Sequence, residues 1–225
     1  MIPQLEEYLY PALKALALVP VTLLPIINPL STAPVFASTT GGDPLVSKRL
    51  ARQVALNSWF VMVAAMLIGT YVLDFFGISL PIVRIGGGLL VASTGWRMLH
   101  SSESDEVQTA ASAQTGRLSD AEIMKRSFFP ITFPLTTGPG TIAASITLGA
   151  KLPDTPALYV VGAVVAAVGA ALTSLVLYFI FKHAAALLEK LGEIGTLVMM
   201  RLLAFILLCV GVEFIWAGWA DLNNL

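Results

Sequence analysis

Two proline-rich segments are the part of this sequence whose residue types and spacing could do chemistry. The first reads PIINPLSTAP from Pro25 to Pro34, and the second reads PITFPLTTGP from Pro130 to Pro139. Aligned with a shift of 105 residues, six of the ten positions are identical and three prolines stay in register. Agreement of this kind indicates that one half of the chain repeats the other.

The chemistry that these segments predict is the binding of a small polar solute. A proline inside a helix removes a backbone donor and clashes with the preceding turn, so each segment predicts a broken helix. Asn28 is a good N-cap and Pro29 a good first helical residue, so the half-helix beyond them would direct N–H groups into the break. We expect the substrate site to comprise these motif residues: Asn28, Pro29, Ser31, Thr32, Pro134, Thr136, Thr137, Gly138 and Gly140.

A structural interpretation of the same prolines is that they only kink packed helices, while the hydroxyls bond back to the preceding turn. The duplication favours the binding interpretation, because broken helices at matched positions in two halves are the best sequence indication of a transport site. The sequence leaves open whether each break crosses the membrane or re-enters it.

Three ionisable residues fall inside apolar stretches: Arg84, Arg201 and Glu213. Each costs a few kcal/mol at mid-bilayer unless it is paired, hydrated or near an interface. Arg84 and Glu213 are expected at similar depth near the same membrane face, so we predict an ion pair between them. The alternative is that both arginines extend to the headgroups.

The chain lacks the residue patterns of an enzyme or a metal site. No paired aspartates, Ser–His dyad or HExxH motif occurs in its apolar stretches. Cys209 is the sole cysteine, which excludes an intrachain disulfide and a zinc-finger spacing. We therefore expect no enzymatic activity, no metal and no cofactor, and the net charge of −1 gives no reason to expect a nucleic-acid partner.

The elements that must position the motifs are membrane helices. Of 225 residues, 56% are hydrophobic and only 12% are charged, about half the charged fraction of a soluble domain. Lipid must therefore be the solvent for much of the chain. Apolar stretches of about 20 residues, the length that crosses a bilayer, predict six spans near 13–38, 54–74, 79–99, 127–149, 156–181 and 197–219.

The predicted spans fall into two groups of three. Residues 1–100 form the first repeat, residues 101–125 a Ser-, Ala- and acid-rich linker, and residues 126–225 the second repeat. Because each half has an odd number of spans, the second half enters the membrane from the opposite side. The predicted fold is all-α and integral to the membrane, with six transmembrane helices as two inverted three-helix repeats, each with a broken first helix.

These motifs resemble those of a known family. NPLSTAPVF, FPLTTGPGTIA and RIGGGLLV are similar to segments of the MarC family of bacterial inner-membrane proteins, which belongs to the LysE-type transporter superfamily. Ala204 and Glu213 depart from the family pattern, which has glycine and an uncharged amide there. The resemblance covers essentially the whole chain and implies these motif positions: Asn28, Pro29, Pro34, Pro134, Thr137, Gly138, Pro139 and Gly140.

Some members of that family are described as transporters of small neutral amino acids. The resemblance thus implies a secondary transporter of glycine, alanine or serine that works by alternating access at the repeat interface. A metal-cation or drug exporter and an ion channel are the alternatives, although only Glu213 offers a mid-membrane carboxylate for a cation. Lipid and a small solute are the expected partners, while proton or sodium coupling and homo-oligomerisation are left open.

Lysines and arginines in short loops predict the orientation of a membrane protein. Nine of them follow the first, third and fifth spans, whereas only Lys14 and Lys151 lie on the other side. This asymmetry places both termini in the periplasm of a bacterial inner membrane and the 101–125 linker in the cytoplasm.

Reporter fusions test this orientation. A phosphatase that is active only in the periplasm should be silent when fused at residue 110 and active when fused at the C-terminus. The same signal at both positions would rule out the six-span topology.

Overall fold

The computed structural model describes residues 3–100, 120–152 and 155–223, a part of the chain that is mostly helical and contains no strand. Most of the predicted linker, residues 101–119, lies outside the described residues. The helices of the described part are α1 (Pro3–Ile27), α2 (Pro29–Thr40), α3 (Pro44–Phe76), α4 (Leu80–His100), α5 (Asp120–Arg126), α6 (Pro139–Gly149), α7 (Pro156–Lys182) and α8 (Ala184–Asn223). Between α5 and α6 runs a segment of wide helical turns, Ser127–Thr136, called the wide-turn segment below.

The first proline-rich motif divides α1 from α2. The two helix axes differ by 60° across a single residue, Asn28. Its backbone is left-handed (φ 48°, ψ 60°), a conformation that asparagine tolerates better than most residues. Asn28 stands at the N-cap position of α2, but its side chain makes no capping hydrogen bond. The predicted side-chain cap is therefore wrong, and the amide is left for other partners.

The second motif is distorted in a different way. Phe129 and Phe133 have extended backbones inside the wide-turn segment, and each precedes a proline, which disfavours the helical conformation of the residue before it. The turns that remain are wider than α-helical turns: the Thr137 N–H donates to the Thr132 carbonyl, five residues back, at 2.7 Å. A regular helix resumes only at Pro139, the first residue of α6.

By length and composition, three helices are suited to crossing a membrane: α3, the part of α7 from Leu158 to Lys182, and α8. The bent pair α1–α2 makes a fourth if it is counted as one span. Six spans were expected. Within the described residues, charged residues and glycines lower the mean hydropathy of α4. The wide-turn segment and α6 have 10 and 11 residues, fewer than a membrane span needs.

The distribution of side chains is that of a membrane protein. Large apolar residues cover the outside: Phe75 is 84% exposed and Ile194 is 80% exposed. Several threonines of the second motif, including Thr132 and Thr137, are fully buried instead. Exposed apolar surface on this scale is stable only against another apolar phase, here lipid.

In the described part of the chain, α4 and α8 form the most extensive helix–helix contact, and they run antiparallel. A methyl group added at Gly95 would lie 2.6 Å from the Leu208 nitrogen, and one at Gly88 would lie 2.7 Å from the Gly211 carbonyl oxygen. Glycines at these positions let the two backbones approach as closely as membrane helices do when small residues line their interface. These glycines therefore set the register of α4 against α8.

This packing can be tested on α4 alone. Gly95→Ala should destabilise the protein by about 1–3 kcal/mol, because the new methyl group overlaps the α8 backbone. Gly86→Ala is the matched control: its methyl group would meet nothing within 4 Å, and alanine favours a helix by up to about 1 kcal/mol. Melting temperatures in detergent should fall for the first variant only. Equal melting temperatures would mean that α4 and α8 are not in close contact.

Candidate functional site

A cavity of about 490 Å³ opens beside the break between α1 and α2. Its polar wall comes from Asn28, Ser31 and Thr32 at the start of α2, and from Thr94 and Arg97 near the end of α4. Apolar side chains complete it, among them Ile27, Leu135 and Leu207. The volume lies within the usual range for small-molecule sites, roughly 300–1,000 Å³.

The break leaves polar groups unsatisfied at this wall. Asn28 is only 6% exposed, and its side-chain nitrogen has no hydrogen-bond partner. The Ser31 hydroxyl is likewise buried without a partner. A buried polar group without a hydrogen bond costs about 1–3 kcal/mol, and these two groups belong to residues that line one cavity.

Among the described residues that line the cavity, Arg97 is the one that carries a charge. It is exposed, and no ion pair joins it to any described residue. Sequence reasoning used Arg97 only for orientation and missed it and Thr94 as cavity residues. Their spacing of three residues, one helical turn, was the available signal, but only the tertiary structure shows that this face of α4 lines the same cavity as the start of α2.

The second motif meets the first but uses its hydroxyls differently. Thr136 donates to the Ile131 carbonyl at 2.6 Å, and Thr137 donates to the Thr132 carbonyl at 3.0 Å. Both threonines are buried, and their hydroxyls are satisfied by backbone carbonyls five residues back. Of this motif, Leu135 lines the described cavity, whereas Pro134 is exposed outside it.

The glycines of the second motif permit close packing. Gly138 lies where a methyl group would come 2.6 Å from the Pro134 carbonyl oxygen. A methyl group at Gly140 would clash with Val91 of α4 and touch Ile26 of α1. Gly140 thus lets the start of α6 reach the end of α1, which brings the two breaks together. In the first motif, Pro29 is buried at the first position of α2.

The predicted ion pair between Arg84 and Glu213 is wrong. Arg84 pairs with Asp221 instead, and Glu213 is exposed. The packing register explains the difference: Gly218 lies against Pro81 and Arg84, and Asp221 is one helical turn beyond Gly218. Glu213 is five residues from Gly218, which places it about 140° around the helix.

Arg201 is held by the last turn of α4. Its guanidinium donates to the carbonyl oxygens of Met98, at 3.2 Å, and of Leu99. A cation at a helix C-terminus is favourable, because the partial negative charge of the helix lies there. The side chain therefore serves the α4–α8 contact, a use of Arg201 that the sequence did not predict.

Comparison with known proteins shows where this arrangement belongs. The model of the MarC family of integral membrane proteins matches residues 13–222. The chain belongs to the MarC family. The inner membrane protein MarC of Salmonella typhimurium is 31% identical over 212 residues, which cover 91% of this chain and 94% of the relative.

Other relatives match this MarC-family chain to the same extent. The inner membrane protein MarC of Citrobacter koseri is 33% identical over 212 residues, and that of Escherichia coli O1:K1 is 34% identical over 210 residues. Each alignment covers 91% of this chain and 94% of the relative. No solved structure matches the chain.

The ion pair of this MarC-family chain can be tested by substitution. Asp221→Asn should lower the melting temperature in detergent, because it leaves Arg84 without its partner. The loss should stay below about 1 kcal/mol, since Asp221 is 45% exposed. Glu213→Gln is the matched control and should change nothing. A double-mutant cycle that couples Arg84 to Glu213 rather than to Asp221 would contradict the assignment.

Proposed function

We propose that this MarC-family protein is a secondary transporter of small neutral amino acids, such as glycine, alanine and serine, which bind in the cavity at the α1–α2 break. The observation that carries the proposal is the pair of buried, unpartnered groups, the Asn28 amide and the Ser31 hydroxyl, at the wall of that cavity. A broken helix with free polar groups at membrane depth is stable only when it is buried or lines a wet cavity.

The proposed transport cycle uses the two repeats as its moving parts. Six spans in two inverted three-helix repeats would place the α1–α2 break and the wide-turn segment at the interface of the halves. The contact of Gly140 with Ile26, and the presence of Leu135 in the cavity wall, support this arrangement. Rocking of one repeat against the other would then open the cavity to alternate sides.

The proposed orientation is the one that the loop charges predict, with both termini periplasmic. Arg97, at the exposed rim, then faces the cytoplasm, so the structure corresponds to a state open on that side. A proton or sodium ion is the proposed coupling ion. The alternative of a metal-cation exporter is disfavoured, because no carboxylate, imidazole or thiolate is among the lining residues of the described cavity.

Flux in proteoliposomes tests the proposal. Thr32→Val keeps the shape of a cavity residue but deletes its hydroxyl, so alanine uptake should fall about tenfold, the loss expected for one hydrogen bond of about 1.4 kcal/mol. Thr39→Val is the matched control on the same helix. Its hydroxyl donates to the Val35 carbonyl at 2.7 Å and does not line the cavity, so uptake should be unchanged.

The uptake assay also has an outcome that contradicts the proposal. Melting temperature and expression are measured for both variants, so that a folding defect is separated from a binding defect. If the wild-type protein moves none of glycine, alanine and serine under an imposed proton or sodium gradient, these amino acids are not its substrates. If Thr32→Val and Thr39→Val behave alike, the cavity at the α1–α2 break is not the binding site.

A further inference from the structure

We propose that the cavity selects its solute by a carboxylate group, which Arg97 and Asn28 hold, and that an amino group contributes little to recognition. The inference rests on the transport function proposed above and names the chemical group by which the substrate is recognised. It predicts that short-chain monocarboxylates bind as amino acids do, whereas amines of the same size do not.

The charges at the cavity favour an anion. Arg97 is the only charged residue in the lining, and no described residue forms an ion pair with it. The N-terminus of α2, a helix of 12 residues, begins at the same wall, immediately after Asn28. A helix N-terminus carries a partial positive charge and free N–H groups, so it adds to the attraction exerted by Arg97.

The buried amide at the break is an independent observation that points to the same ligand. Asn28 is only 6% exposed, and its side-chain nitrogen donates no hydrogen bond. The neighbouring Ser31 hydroxyl is also without a partner. A carboxylate has about four lone-pair positions and no donor, so its chemistry matches a lining whose unpartnered polar groups are donors.

The rest of the cavity wall is apolar, and it indicates what the ligand carries besides the carboxylate. It is formed by apolar side chains such as Ile27, Leu207 and Met200, and it holds no acidic residue. An ammonium group would therefore meet no counter-charge there, whereas a short alkyl chain would replace water against apolar surface. Inorganic phosphate fits less well, because it has no apolar part and the lining contains a single arginine.

Competition against labelled alanine in proteoliposomes of the full chain tests the ligand class. Propionate and lactate should reduce alanine uptake about as well as unlabelled alanine does. Ethylamine and alaninamide, which lack the carboxylate, should require at least about tenfold higher concentrations. Equal competition by ethylamine, or stronger competition by inorganic phosphate than by propionate, would overturn the inference.

Variants identify the residues that hold the carboxylate. Arg97→Gln should raise the KM for alanine about tenfold with little change in kcat, and Arg97→Lys should recover part of the loss. Arg52→Gln is the matched control, because this substitution removes the same charge from an exposed arginine that does not line the cavity. Asn28→Asp keeps the shape and tolerates the left-handed backbone, but its charge should abolish carboxylate binding. An unchanged KM in both Arg97→Gln and Asn28→Asp would contradict the assignment.

Salt dependence and a binding measurement separate this inference from the proposed function. Raising the salt concentration should raise the KM of the wild-type protein but not that of Arg97→Gln, since screening acts on the exposed arginine. Thermal stabilisation of the purified protein by propionate, without amino-acid flux, would support the carboxylate site and refute transport. Alanine flux with no stabilisation by propionate would support transport and refute the carboxylate site.

Discussion

The structure depends on one constraint: inside a membrane, every backbone and side-chain polar group must find a partner within the protein or in a cavity. Both proline-rich motifs break that rule locally, and they restore it by different means. In the second motif the hydroxyls of Thr132, Thr136 and Thr137 are satisfied by backbone carbonyls five residues back. In the first motif the Asn28 amide and the Ser31 hydroxyl stay unpaired beside a cavity. The same repeated sequence thus gives one closed break and one break that is open to a ligand.

Close packing of the neighbouring helices holds the two breaks in their different conformations. The helix that follows the second break, α6, is buried over most of its length, from Gly140 to Gly149. Its glycines lie against α4, α1 and α3 with no room for a methyl group. Helices α4 and α8 also approach closely, because Gly88, Gly95 and Gly211 have no side chains at their contact. Small residues replace the hydrophobic effect as the source of helix association, because lipid tails are as apolar as the side chains.

The charged residues follow from the same geometry. Antiparallel packing of α4 and α8 puts Arg84 beside Asp221 at one end and Arg201 beside the last carbonyls of α4 at the other. Both arginines are therefore used to join the two helices, at the two ends of their contact. Arg97 forms no ion pair with a described residue and lines the cavity instead, so it carries the proposal of a carboxylate ligand.

The sequence by itself determined the membrane environment, the positions of the two breaks and the family, because composition and proline placement act locally. It also located Asn28, Ser31 and Thr32, three residues of the cavity wall. Only the tertiary structure decided which break lies beside the cavity, that Thr136 and Thr137 bond to backbone carbonyls of their own segment, and that Arg97 lines the same cavity as Asn28. The partner of Arg84 was also decided there, since the register of α4 against α8 depends on glycine contacts between residues more than 100 positions apart in the chain. Small residues recur every seven positions in both helices, at Gly88 and Gly95 and at Ala204, Gly211 and Gly218, but neither helix alone shows which residues of the other they face.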